Sequence, residues 1–167
     1  WNRRRYHHVG SRIPEVGERY SDPLTSRHLG GEIAEEYNAR VKADNDNTAD
    51  LLALVDKIVP YNVSHNSEPE ACDLLMEVES LDRVIPLVTE HNFKRICLYL
   101  SSCANYVNEP EDAEILTVVM KIYIKMNQFP SALVVAIKLA DHATIQDIFY
   151  KCRDNTYVNP MWLTLTL

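Results

Sequence analysis

From residue 48 to residue 153, apolar residues return every three or four positions, and polar turns break the rhythm. The first such segment lies upstream. Leu29, Ile33, Tyr37 and Val41 recur every four residues and predict a helix over about Leu24–Lys42 with one apolar stripe. Gly30 and Gly31 sit inside it, where small residues would let a neighbouring helix come close. Ala43–Asn47 reads as a polar linker. Thr48 then stands as N-cap of a second helix, with Asp50 favouring its positive end. Its buried face is Leu51, Leu52, Val55, Ile58 and Val59, and Pro60 is expected to stop it.

Ser67 and Glu70 are spaced as a capping box. The helix they open buries Ala71, Leu74, Leu75 and Val78. A short helical turn follows from Leu81 to Ile85, limited by Pro86. Asn92 is placed to cap a helix with Phe93, Ile96, Cys97 and Leu100 inward. Asn108-Glu109-Pro110-Glu111 is a weaker start signal, for a helix burying Ile115, Leu116, Val119, Ile122, Tyr123 and Met126. Phe129-Pro130 marks another start, with Pro130 in the first turn and Leu133, Ala136, Ile137 and Ala140 inward. A last helix from about Ala143 carries Ile145, Ile148, Phe149 and Cys152.

No period-2 strand pattern interrupts this series. Short connections make successive helices antiparallel neighbours, so the pattern predicts an all-α fold: an α-solenoid-like array of antiparallel helix pairs. No strict repeat period links the pairs. The pair 130–153 is similar to a tetratricopeptide-like unit in its Ala and Leu spacing, which keeps open a generic tetratricopeptide-like helical adaptor. Three segments follow: an irregular stretch over 1–22, broken by Gly10, Pro14 and Gly17; a helical region over 23–154; and a divergent tail over 155–167.

Composition adds little to the fold and more to the exclusions. The chain has 167 residues, 46% apolar and 25% charged, enough to build a sizeable core. No apolar run is long enough to span a membrane. No initiating Met is present, and no apolar run follows Arg3-Arg4-Arg5, so this N-terminus does not read as a signal peptide and the chain reads as a fragment. Residues 1–12 hold Arg3, Arg4, Arg5 and Arg12 and no acid, so the net charge of −7 becomes −11 beyond them. An acidic body of that kind argues against nucleic acid as a partner.

Candidate chemistry is sparse. Glycine is absent after Gly31, so no Gly-rich phosphate loop exists, and no HExxH, GxSxG or calcium-loop pattern appears. Cys72, Cys97, Cys103 and Cys152 lack CxxC spacing and read as reduced, mostly buried residues. His65 precedes Cys72 by seven residues, the one candidate thiol–base pair, but Cys72 lies on a core stripe. His7, His8 and the remaining histidines do not cluster as a metal site would. Glu68, Glu70, Glu77 and Glu79, and Glu109, Glu111, Asp112 and Glu114, read as solvated faces and helix-start charges. Tyr99, Tyr106, Tyr123, Phe129 and Phe149 read as packing residues. Catalytic, cofactor and metal residues are therefore expected to be none, and the protein-binding residues are left unassigned.

Longer blocks carry a resemblance. Ile58-Val59-Pro60-Tyr61-Asn62, His65-Asn66 and Glu70 through Glu77 come in one order. Cys97-Leu98-Tyr99-Leu100, Ser102-Cys103, Asn105-Tyr106-Val107, Glu109-Pro110-Glu111, Phe129-Pro130, Ala132-Leu133 and Asp147-Ile148-Phe149 continue it. Upstream, Val9-Gly10-Ser11, His28-Leu29 and Gly31-Glu32 precede it. Together they closely resemble the family of non-ATPase regulatory subunit 2 of the 26S proteasome, the large scaffold subunit of the regulatory-particle base, over about residues 6–154. The resemblance implies the helical region ahead of the family's Gly- and Ala-rich toroidal repeats. It implies a non-catalytic scaffold and enzyme regulator in ubiquitin-dependent degradation, in cytoplasm and nucleus. The implied partners are the proteasomal ATPases and other regulatory-particle subunits. The family's docking sites for ubiquitin and ubiquitin-like domains lie mainly on the toroid, beyond this segment.

Overall fold

The computed structural model describes residues 23–43 and 47–153. The segments expected to be an irregular arm (1–22) and a divergent tail (155–167) lie outside them, as do His7 and His8. Among the described residues there are seven α-helices, one 3-10 helix and no strand. The chain divides after Val78 into two compact units.

The first unit is α1 (Pro23–Lys42), α2 (Ala49–Ser64) and α3 (Glu68–Glu77), each packed on the other two. Its core is Ile33, Ala34, Leu51, Val55, Val59, Ala71, Cys72, Leu74, Leu75 and Val78. The α1 stripe holds at Ile33, with Leu29 and Tyr37 half-buried, but Val41 is 49% exposed. Leu52 and Ile58 are likewise half-buried. A Cβ built at Gly30 would meet Leu74 Cδ2 at 3.9 Å and one at Gly31 would meet nothing, so neither glycine is required for a close approach. The join between α1 and α2 is ionic. Arg40 Nη1 lies 2.6 Å from Asp50 Oδ1 and 2.8 Å from the Asn47 carbonyl, and Arg40 Nε lies 2.9 Å from Glu36 Oε1. Hydrogen bonding from Arg40 holds the Asp50 carboxyl below its ordinary range.

Pro60 does not stop α2, which runs on to Ser64. Proline removes one N–H from the ladder, but Pro60 faces solvent while Val59 and Asn62 beside it are buried. Packing carries the helix through. The expected capping box also fails: Ser67 stands at the N-cap position without a side-chain cap. Its backbone N–H already donates to the Asn62 carbonyl at 2.9 Å, closing the end of α2, so Glu70 has no N–H to reach back to. Glu70 pairs instead with Arg27 of α1 at 3.4 Å.

The second unit is the 3-10 helix Leu81–Leu87, α4 (Phe93–Cys103), α5 (Glu111–Lys125), α6 (Phe129–Lys138) and α7 (His142–Arg153). Pro86 lies inside the 3-10 helix rather than ending it. α5 packs on α4, α6 and the 3-10 helix, and α6 also packs on α7. Val84, Ile96, Cys97, Leu100, Val119, Ile122, Ala132, Ala136 and Ile148 are fully enclosed. Lys125 Nζ donates to the carbonyls of Ile85 (2.6 Å), Pro86 (3.3 Å) and Val88 (3.1 Å), capping the end of the 3-10 helix from α5. Asn92 stands at the N-cap position, but its side chain turns back: Oδ1 accepts from Thr89 N–H at 2.7 Å and Nδ2 donates to the Leu87 carbonyl. α7 starts at His142, capped by Asp141 through Thr144, and those hydrogen bonds hold the Asp141 carboxyl low.

Four helices end on a non-glycine residue in the left-handed region: Asn66, Glu79, Asn127 and Ala140, with φ of 59°, 50°, 55° and 52°. Around Asn66, Asn127 and Ala140 the following N–H bonds back to the carbonyls of Asn62, Tyr123 and Ala136, as in a Schellman end. Adding 61 to a residue number carries α3, Glu68–Glu77, onto α6, Phe129–Lys138. It also carries the end of α2, Ser64, onto Lys125 and the start of the 3-10 helix, Leu81, onto His142. Asn66 falls on Asn127, Pro69 on Pro130, Ala71 on Ala132 and Glu79 on Ala140. The chain thus contains one helix–turn–helix pattern twice, a period the sequence reading did not find. Few residues are identical between the copies. The shared features are burial, with Glu68, Ala71, Cys72, Leu74 and Leu75 matching Phe129, Ala132, Leu133, Val135 and Ala136, and turn geometry.

Candidate protein-binding surface

The thiol–base pair does not assemble. Cys72 is enclosed in the core of the first unit. His65 is exposed, with its ring stacked 4.0 Å from that of Tyr61 and Nδ1 2.8 Å from the Tyr61 carbonyl. A buried sulfur and a surface imidazole lack the reach that thiol activation needs. Cys97, also enclosed, receives a hydrogen bond from the Tyr123 hydroxyl across the α4–α5 contact. Burial pushes its thiol up to about 11, and the Tyr123 bond offsets this only in part. A nucleophilic cysteine is shifted the other way. Burial likewise raises the Tyr123 hydroxyl, helped by Cys97. Among the described residues no three His, Cys, Asp or Glu side chains gather as a metal site would require. No described helix is long and apolar enough to cross a membrane.

The acidic positions divide. Glu77, Glu79, Glu109, Glu111 and Glu114 are exposed as expected, and Glu111, Asp112 and Glu114 fill the first turn of α5, where its dipole favours them. Glu68 departs from expectation and is buried. The turn at Asn66 folds the start of α3 inward, and the matching place in α6 holds buried Phe129. The aromatic residues divide too. Phe129 is buried and Tyr99, Tyr123 and Phe149 are half-buried, whereas Tyr106 is 88% exposed in the turn after α4.

Exposed apolar side chains are what remains. Besides Val41, Tyr106 and Tyr150 they are Leu98 on α4 (74%) and Val134 and Ile137 on α6 (57% and 51%). Ile137 was expected inward with Ala140. α6 instead buries Ala132 and Val135, and Ala140 lies past the helix end in the left-handed turn.

The described residues therefore define an all-helical segment. A family model described as the RPN1 N-terminal domain matches residues 19–165, and the chain belongs to that family. The 26S proteasome non-ATPase regulatory subunit 2 of Dictyostelium discoideum is 49% identical over 129 residues, covering 77% of this chain and 14% of the relative. Subunit 2 homolog A of Arabidopsis thaliana is 41% identical over 128 residues, with the same coverage. The 26S proteasome regulatory subunit rpn1 of Schizosaccharomyces pombe is 41% identical over 121 residues, covering 72% of this chain and 14% of the relative. The chain spans about 14% of the length of these curated relatives.

Proposed function

We propose that the chain serves as part of a non-catalytic scaffold in the regulatory-particle base of the 26S proteasome, supporting ubiquitin-dependent degradation through protein–protein contacts. The observation that carries this reading is the family match over residues 19–165, joined to relatives named as proteasome regulatory subunits. Its partners would be the proteasomal ATPases and other regulatory-particle subunits, in cytoplasm and nucleus. The mechanism is effective concentration: a helical support makes the second encounter of two tethered components intramolecular. A tetratricopeptide-like adaptor is less well supported, because its unit is 34 residues and the internal offset here is 61.

Affinity-tagged chain expressed in cells would test the reading. Proteasomal ATPases should co-purify in fixed ratio and survive a wash at moderate salt. A preparation that never carries those ATPases would overturn it.

A further inference from the structure

We infer that the outer face of α6 docks an amphipathic helix of a partner protein, one whose apolar residues are flanked by carboxylates. Single exposed apolar residues are ordinary on any surface, so the argument rests on their pattern. The two copies of the hairpin supply an internal control. Val134 occupies the place that Asp73 holds in α3, and both are exposed. The hairpin therefore folds with an aspartate there, and packing does not demand valine.

Spacing is the next observation. Pro130, Val134 and Ile137 are all exposed and stand at i, i+4 and i+7, the anchor spacing by which helices recognise one another. Charge selects the occupant. Of the seven α-helices, α4 and α6 are the two without an Asp or Glu, in a chain of net charge −7. On α6, exposed Lys138 stands one turn from Val134, and no acid on the helix opposes it. A complementary helix places Asp or Glu beside its own apolar seam. The matching face of α3 carries Glu70, Asp73 and Glu77 and would repel such a helix. The inference draws on the second unit's surface and stands apart from the proposed proteasomal role.

A displayed library of helical peptides with a fixed leucine seam and randomised flanking positions, panned against the whole 167-residue chain, tests it. Asp and Glu should be enriched at the flanks several-fold over Lys and Arg. The best selected peptide should bind about tenfold more weakly to Val134→Asp, the loss expected for one interface anchor. Its binding should be unchanged by Asp73→Asn on α3. Val134→Asp should keep its helical signal, because the sister hairpin holds aspartate at that place. If it unfolds, Lys138→Glu reads the same face and should reverse the flank preference. Absence of enrichment, flanks without charge preference, or a Val134→Asp chain that binds as before would each overturn the inference. So would a free chain that sediments as a dimer disrupted by Val134→Asp, which assigns the face to a second copy.

Discussion

Replacing Glu79 or Ala140 by glycine is expected to stabilise the chain, although either change removes side-chain atoms. Both residues sit just past a helix end with φ near +50°. An L-residue held there costs about 1–2 kcal/mol, because Cβ crowds the carbonyl that follows. Glycine escapes that cost but loses about 0.5–1 kcal/mol more backbone entropy on folding. The difference leaves a net gain of up to about 1.5 kcal/mol per site. Neither side chain has burial to forfeit, since both residues are exposed. Both sites lie in the second unit, Glu79 at its start and Ala140 just past α6. Urea unfolding followed by circular dichroism measures this: the midpoint should rise for Glu79→Gly and Ala140→Gly, with an unchanged slope. Ala53→Gly, on an exposed turn inside α2, serves as the contrast and should lose about 1 kcal/mol. A lowered midpoint for either C-terminal glycine would refute the assignment of these residues as strained helix ends.

Four further outcomes are expected. Gly30→Ala and Gly31→Ala should each raise stability by up to about 1 kcal/mol, since a methyl group fits at both and α1 gains helix propensity, as read by chemical denaturation. Leu75→Ala and Ile122→Ala, each emptying a fully enclosed site, should cost about 2–5 kcal/mol in the same assay. Lys125→Met should lower the melting temperature and speed amide exchange around Val88, because three carbonyls lose a shared charged donor. Cys97 should make stability fall with alkali. Its thiol stays protonated in the fold up to about 11 while the unfolded chain ionises near 9.0, so the contribution is complete below pH 9 and is lost as pH rises to 11. The loss is about 3 kcal/mol at most, and subtracting the Cys97→Ala profile from the parent isolates it.

Periodicity made the helices and their inner faces legible, because burying an apolar stripe is the dominant local constraint. What the sequence hid were places where one group serves two masters. Ser67 looks like a cap, yet its N–H was already committed to Asn62 in the preceding helix end. Asn92 caps the turn before it rather than the helix after it. Pro60 reads as a stop because its missing N–H is visible in the sequence, while the buried neighbours that outweigh it are not. The candidate surface was least legible. Ile137 belongs by spacing to an inward stripe, and only the packing of Ala132 and Val135 turns it outward.

The internal repeat escaped detection for a related reason, and that reason bears on function. The copies preserve turn geometry and burial while replacing nearly every residue: Cys72 by Leu133, Leu75 by Ala136 and Glu68 by Phe129. The fold therefore constrains burial at inner positions and constrains outer ones hardly at all. Where outer positions diverge, as from Asp73 to Val134 and from Glu77 to Lys138, the divergence is free to carry recognition. One helix–turn–helix support with differently charged outer faces can engage different partners, as the proposed scaffold role requires.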